Sequence, residues 1–283
     1  MGFASVGALA TASEETSWLS TWRKSPTAGT TAGVWFDLSM SPGNPVPQYY
    51  AAAPLQPVAL TAADGGLFHG GPVSPAVKHV RTVGIFANAA TALPMPVILC
   101  DYLMFYPFFD DGVLDPQTTS NGVTLPRYTD GAGVQIMAVS VAARTGGQSF
   151  TVSYTNSAGD SGRTTGAALQ TSAASNGSIV SSATLAANGG GPFLSLQAGD
   201  TGVRSIESVT MLGPDVGLMT LVLVKPLVHF QLRELTAPVE VDCFTDLNGA
   251  PVVQDGAYLN LLCNPRGVLS ATTLHGYIQT AWN

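Results

Sequence analysis

From Ser149 to Thr155 the chain alternates without a break: Ser149, Thr151, Ser153 and Thr155 fall on one side of an extended backbone, and Phe150, Val152 and Tyr154 on the other. A period of two cannot be laid along one face of a helix, so the segment predicts a half-buried strand. Asn156-Ser157-Ala158-Gly159-Asp160-Ser161-Gly162 then gathers the residue types that turn a backbone, and Arg163–Leu169 reads as the return strand of a hairpin. The same alternation of strand-forming run and turn continues through the rest of the chain. Runs rich in Val, Ile, Leu and aromatic residues occupy Lys78–Ala87, Val97–Phe109, Val134–Val141 and Phe193–Gln197. Others occupy Val203–Met211, Leu218–Leu232, Tyr258–Cys263 and Thr273–Trp282. Leu218–Val224 is apolar nearly throughout, as a strand buried on both faces requires. Helical periodicity is almost missing. The fold class expected is all-β, a jelly-roll-like β-sandwich over residues 76–283.

The first third reads differently. Thr11-Ala12-Ser13-Glu14 spells a capping box, so a short helix is expected to start at Thr11, run through Trp18, Trp22 and Arg23, and stop at Pro26. Between Ser25 and Pro75 stand eight prolines. Each removes an amide donor, which excludes a continuous ladder there. Residues 1–75 therefore read as an extended Pro/Gly-rich arm with one short N-terminal helix and one short strand at Val34–Leu38. Such an arm has little core of its own and needs another surface to lie on. The candidate partner contacts are Trp18, Trp22, Trp35, Tyr49 and Tyr50 from the arm, with Tyr106 from the strand region. Residues 170–191 read as a Ser/Ala/Asn/Gly-rich loop ending in Asn188-Gly189-Gly190-Gly191.

Charge narrows the function classes. Only 11 Lys and Arg and 18 Asp and Glu occur in 283 residues, or 10% charged, against about 25% in an ordinary soluble domain. A surface this poor in charge suits a chain covered by partners. The net charge of -7 argues against nucleic-acid binding, which needs a basic face to displace counterions. A hydrophobic content of 46% is enough to build a core and excludes wholesale disorder. Pro, Asp or Lys interrupts each long apolar stretch before it reaches the roughly 18 residues of a membrane span. The opening MGFASVGALATAS has no basic region, so no signal peptide is expected. Cys100, Cys243 and Cys263 are odd in number and widely spaced, which suits reduced thiols made in a cytoplasm.

The motifs that could carry chemistry each have a plainer reading. Gly159-Asp160-Ser161-Gly162 spells the nucleophile signature of trypsin-like serine proteases, where the Ser needs a His base oriented by an Asp. Neither His69 nor His79 stands in that family's Ala-Ala-His-Cys context, and Arg163 replaces a further Gly, so a turn is expected instead. Asp110, Asp111 and Asp115 around Gly112 could approach a calcium ion, yet the spacing of an EF-hand is missing and a turn explains them. His69, His79, His229 and His275 show no ligand spacing. Tyr102, Phe105, Tyr106, Phe108 and Phe109 could line a sugar site, but strand alternation makes core and subunit contact the expectation. Asn176-Gly177-Ser178 matches a glycosylation acceptor without secretory context. No catalytic residue, cofactor or metal ligand is assigned.

Four stretches carry a resemblance. Phe150–Thr165 (FTVSYTNSAGDSGRTT) is similar to Tyr-Thr-Asn…Gly-Arg-Thr hairpins in structural proteins of tailed bacteriophages. LQAGDTGVRSIESVTML, GLMTLVLVKPL and the ending LHGYIQTAWN resemble the same group, so the likeness covers residues 148–283. It implies a virion component synthesised in the bacterial host cytoplasm: a capsid decoration, cement or minor capsid protein. Its implied partners are the major capsid protein and further copies of itself, as a trimer, with no nucleic acid or membrane among them. The alternatives are a tail or baseplate protein, a carbohydrate-binding receptor module, and a hydrolase using Ser161.

Overall fold

The computed structural model describes residues 3–173, 175–182, 191–247, 249–270 and 272–283. Helix α1 (Val6–Glu15) is followed by β1 (Ser17–Lys24), β2 (Phe36–Asp37), β3 (Gly43–Asn44), β4 (Val58–Ala59), β5 (Lys78–Ala87) and β6 (Met95–Asp110). Next come β7 (Gln117–Thr118), β8 (Gln135–Ser140), β9 (Ser149–Asn156), β10 (Arg163–Thr164), β11 (Ala168–Leu169) and β12 (Val203–Met211). The last are β13 (Leu218–Leu232), β14 (Val239–Asp242), β15 (Val252–Val253), β16 (Leu259–Cys263) and β17 (Leu274–Trp282). The protein is all-β, in three antiparallel sheets with one short helix. No helix among the described residues is long and apolar enough to cross a membrane.

Two of the sheets form the sandwich. One runs β14-β5-β17-β1 and the other β2-β16-β6-β13, which is the strand order of a jelly roll. Short β3 continues the first sheet beyond β1, and β8 continues the second beyond β13. The third sheet, β10-β9-β12-β7, lies wholly within the chain between β6 and β13. It is therefore an insertion into the jelly roll.

The N-terminal expectations need correcting. The helix starts earlier, capped by Ser5, whose hydroxyl accepts the Ala8 amide at 3.1 Å. Ser17–Lys24 is a strand paired along its whole length with β17. Two Trp residues four apart share a face in a strand as well as in a helix, so their spacing could not tell the two apart. The segment expected as an extended arm is built into the body. It supplies β1 and β2 to the two jelly-roll sheets, β4 pairs with β6, and Tyr50 and Leu60 are buried. The prolines do exclude long ladders there, leaving two-residue strands between irregular turns. Phe193–Gln197 is not a strand; Leu194 instead reaches β8 through one backbone bond to Ile136. Asn188, Gly189 and Gly190 of the expected loop lie outside the described residues.

Strand β6, of 16 residues, and β13, of 15, pair along their length and form the layer to which the rest attaches. Met95, Val97 and Leu99 of β6 enter the core between the jelly-roll sheets. Leu103, Tyr106 and Phe109 enter a second core, against Phe150, Val152 and Ile206 of the inserted sheet. A register shift between Leu223 and Val224 inserts Leu103 as an extra residue on β6 and resets its alternation. One face of this layer thereby serves both cores in succession. Ile98, Cys100 and Tyr102 point to the opposite face, where Trp35, Met40, Tyr50 and Leu60 cover them. Burying side chains of this size contributes about 1.5–3 kcal/mol each.

Two buried carboxylates fasten these covers. Asp37 is fully buried and accepts from the hydroxyls of Tyr50 at 2.5 Å, Tyr102 at 2.8 Å and Ser39 at 2.7 Å, and from the Ser39 amide. Burial pushes its carboxyl above the usual range, while those donors oppose the shift. Asp101, the next-but-one residue to Leu99, holds Arg127 at 2.9 and 2.7 Å and accepts the Tyr258 amide. The same guanidinium donates to the carbonyls of Leu60 and Tyr102. Breaking such a pair strands a charge in the interior. Arg127→Met should lower the unfolding free energy by about 3–5 kcal/mol, and Tyr102→Phe by about 1.5–3 kcal/mol. Combining Arg127→Met with Asp101→Leu should cost less than Arg127→Met alone. Urea unfolding of the variants measures all three.

Candidate functional site

The reactive side chains are spent inside the fold. In the β9–β10 turn, Gly159 and Gly162 adopt φ of +95° and +69°, a region costly for other residues. Ser161 is exposed, and among the described residues His69 and His79 bond instead to the carbonyls of Ala257 and Ala250. The flanking groups hold the turn itself: the Gly162 amide donates to Glu207, and the Asp160 amide to the Asn156 side chain. Asp200 receives Arg163 at 3.0 Å, Tyr154 at 2.7 Å and Asn156 at 2.8 Å. The bond from Arg163, with those from Tyr154 and Asn156, brings its carboxyl down to about 2.

The other motifs are engaged likewise. Asp110 accepts the Gly112 amide, and Asp111 pairs with buried Arg144 at 2.7 Å, so the turn's carboxylates do not converge. Among the described residues no three His, Cys, Asp or Glu side chains gather as a metal group. His69 lies between the Ala257 carbonyl and the Lys78 amine, and burial, then that amine, brings it down to about 4. Lys78 also donates to the carbonyls of Gly70 and Gly71. Lys78, Arg127, Tyr128 and Asp255 line an open cleft of about 780 Å³, but the amine and guanidinium in it are already bonded. All three cysteines are buried free thiols. Tyr102, Phe105, Tyr106 and Phe109 are core residues and present no aromatic platform.

The six candidate partner contacts divide. Trp22, Trp35, Tyr50 and Tyr106 are buried in this chain's own cores, so this fold withholds them from a partner. In Tyr106 even the hydroxyl is taken, accepting the Ile206 amide at 3.2 Å. Trp18 and Tyr49 remain exposed.

Trp18 marks the feature that stands open. Strand β1 pairs with β17 on one side, while on the other β3 covers only Arg23 and Lys24. Among the described residues no strand lies against Ser17–Trp22 on that side. Thr16 bonds inward to Trp282, and Ser25 outward to Pro42. By alternation the backbone groups of Ser17, Leu19 and Thr21 therefore point out into the open edge. Apolar side chains flank it on both faces. Trp18, 45% exposed, meets Phe68 edge-on with centroids 5.3 Å apart, and Leu19, 59% exposed, stands on the opposite face. Val46 is exposed nearby. Beside the edge runs a groove of about 210 Å³ lined by Ser20, Thr21, Asn44, Gly66, Leu67 and Phe68, among others. Helix α1 runs back over the sheet toward β5, where Phe3 packs on His79 and Phe244, and leaves the edge uncovered. Leu19 and Phe68 were missed from sequence because nothing there distinguishes an edge strand from a central one. The absence of charge from Ser17 to Trp22 was the available signal.

No protein-family model matches the chain, and no curated protein does. Among solved structures, one of infectious bursal disease virus Gt strain aligns at 10% identity over 94% of this chain and 81% of that chain, with a TM-score of 0.20. The infectious bursal disease virus VP2 subviral particle aligns at 9% identity over 95% and 80%, with a TM-score of 0.16. Superpositions this loose establish no common architecture.

The Asp200 contacts give the inserted hairpin a pH dependence. A carboxylate held at about 2 in the fold, against its ordinary 3.8, adds stability above the higher value and loses it as pH falls toward the lower. Protection of the Asn156–Gly162 amides, taken relative to their intrinsic exchange, should fall as pH drops from about 3.8 to about 2, and Asp200→Asn should remove the step.

Proposed function

We propose that this chain is a non-enzymatic structural component of a virion, namely a decoration, cement or minor capsid protein of a tailed phage. It would clamp neighbouring capsid subunits and resist internal pressure. The observation that carries this reading is an uncovered, apolar-flanked strand edge on a jelly roll with only 10% charged residues. A free monomer of that composition is poorly protected against association. Asp101 and Asp111 are taken by Arg127 and Arg144, and Asp37 by Ser39, Tyr50 and Tyr102, so among the described residues these carboxylates are occupied in holding the fold. Jelly rolls recur in viral capsids and in lectins alike, so the fold is support by analogy. The hairpin resemblance favours the phage.

In an assembly the exposed rim would meet the major capsid protein, and many weak contacts around one particle would add through multivalency. Mass spectrometry of purified particles tests the reading. The chain should appear in hundreds of copies per particle. A few to dozens would move it to the tail or baseplate, and its absence from mature particles would reject the virion reading. Ser161 should stay unlabelled by a fluorophosphonate probe; labelling would overturn the non-enzymatic assignment.

A further inference from the structure

We infer that the open edge of β1 is completed by the same edge of a second copy, antiparallel about a two-fold axis at Leu19, so that two jelly-roll sheets join into one. The inference uses the edge described above and does not rest on the virion reading.

Natural proteins keep an exposed edge from pairing with charges, prolines, bulges or a covering element. Ser17–Trp22 has none of these: no Lys, Arg, Asp, Glu or Pro occurs in it, its pairing with β17 is free of register shifts, and α1 turns away. The edge is therefore in a state suited to being paired.

Its own geometry selects the partner and the register. Only Ser17, Leu19 and Thr21 direct backbone groups outward, so an antiparallel copy must place these residues opposite one another. Pairing Leu19 with Leu19, and Ser17 with Thr21 in both directions, uses every outward group, for about six backbone bonds. Sliding by two residues would set Ser17 against Arg23, which β3 already occupies. In the chosen register the two Leu19 side chains meet on one face. On the other, each copy's Trp18 falls opposite the partner's Ser20, which borders the groove of about 210 Å³ beside Gly66, Leu67 and Phe68. Each half-exposed indole keeps the bond from its Nε1–H to Ser20 of its own strand, at 2.8 Å, and its outer face lies at the mouth of the other copy's groove.

The outward set also names the partner. Ser17, Leu19 and Thr21 are symmetric about Leu19, so a second copy meets them with the same three residues and the same bonds in both directions, as an isologous interface does. Arg23 keeps its pairing with Asn44 of β3 and marks where the shared edge ends.

Sedimentation equilibrium of the full chain should give twice the mass of the monomer. Leu19→Pro removes one outward amide while leaving the β17 ladder intact, so the chain should fold and associate at least tenfold more weakly. Because facing residues of this kind sit about 5.5 Å apart at Cα, within disulfide reach, Leu19→Cys should cross-link two copies under mild oxidation and Thr21→Cys should not. A monomer throughout, an odd-numbered oligomer only, or an assembly indifferent to Leu19→Pro would overturn the inference. So would equal cross-linking at Thr21 if the proline variant does not fold. A dimer absent from particles would reject the virion reading alone, and a monomer found in particles would reject the dimer alone.

Discussion

The ladder between β6 and β13 is the element on which the rest of the structure depends. Both strands are largely apolar, β6 buried on both faces along nearly its whole length and β13 over Met219–Val224, so neither face can be left to water there. One face is long enough to require two covers, the first jelly-roll sheet and the inserted sheet. The other takes the irregular segment around Trp35, Tyr50 and Leu60. Covering a sheet with irregular chain brings unpaired polar backbone into the interior, which is costly unless each group finds a partner. Asp37 and Arg127 supply those partners. They lie where the segment meets Tyr102 and where the two covers part beside Asp101, and they locate pieces that hydrophobic contact alone would leave free to slide.

The strands were legible in the sequence wherever burial is one-sided or complete. The alternation at Ser149–Thr155 matches the burial pattern of β9 residue by residue, and the apolar run Leu218–Val224 is the buried half of β13. The local pairing of the β9 hairpin was legible, and β10 and β11 return antiparallel to β9; the other pairings were not, because they are decided between residues far apart in the chain. Thr16 and Trp282 bond across nearly the whole chain, and no local pattern marks such a partner. Proline density marks an obstacle to ladders. It does not mark an extended arm in need of a foreign surface, since a segment without long strands can pack as a cover on its own chain. The one-residue shift at Leu103 shows the same limit, as a bulge changes which face a side chain serves without changing the pattern's look.

The candidate site differs from the core in what remains unused. Polar groups with chemical potential, from the Asp200 cluster to the Lys78 amine, are bonded within the chain. The outward backbone of β1, the Trp18–Phe68 pair and the groove beside them are not. Aromatic residues were reasonable candidates for contact, yet aromatics are also the favoured filling of a β core. Sequence offered no way to separate Trp18 from Trp22, which lie four residues apart on one strand and differ in what covers them.

The pairing of β1 with β17 has a consequence for how the molecule is made. All the other strands lie between β1 and β17 in the chain, so until Leu274–Trp282 is made the stretch Ser17–Trp22 is bare on both sides. A polypeptide broken off before β17 cannot close its first sheet, however well the middle has formed. Closure therefore waits on the intervening strands, and only a chain that carries β17 hides one side of β1 and shows the other.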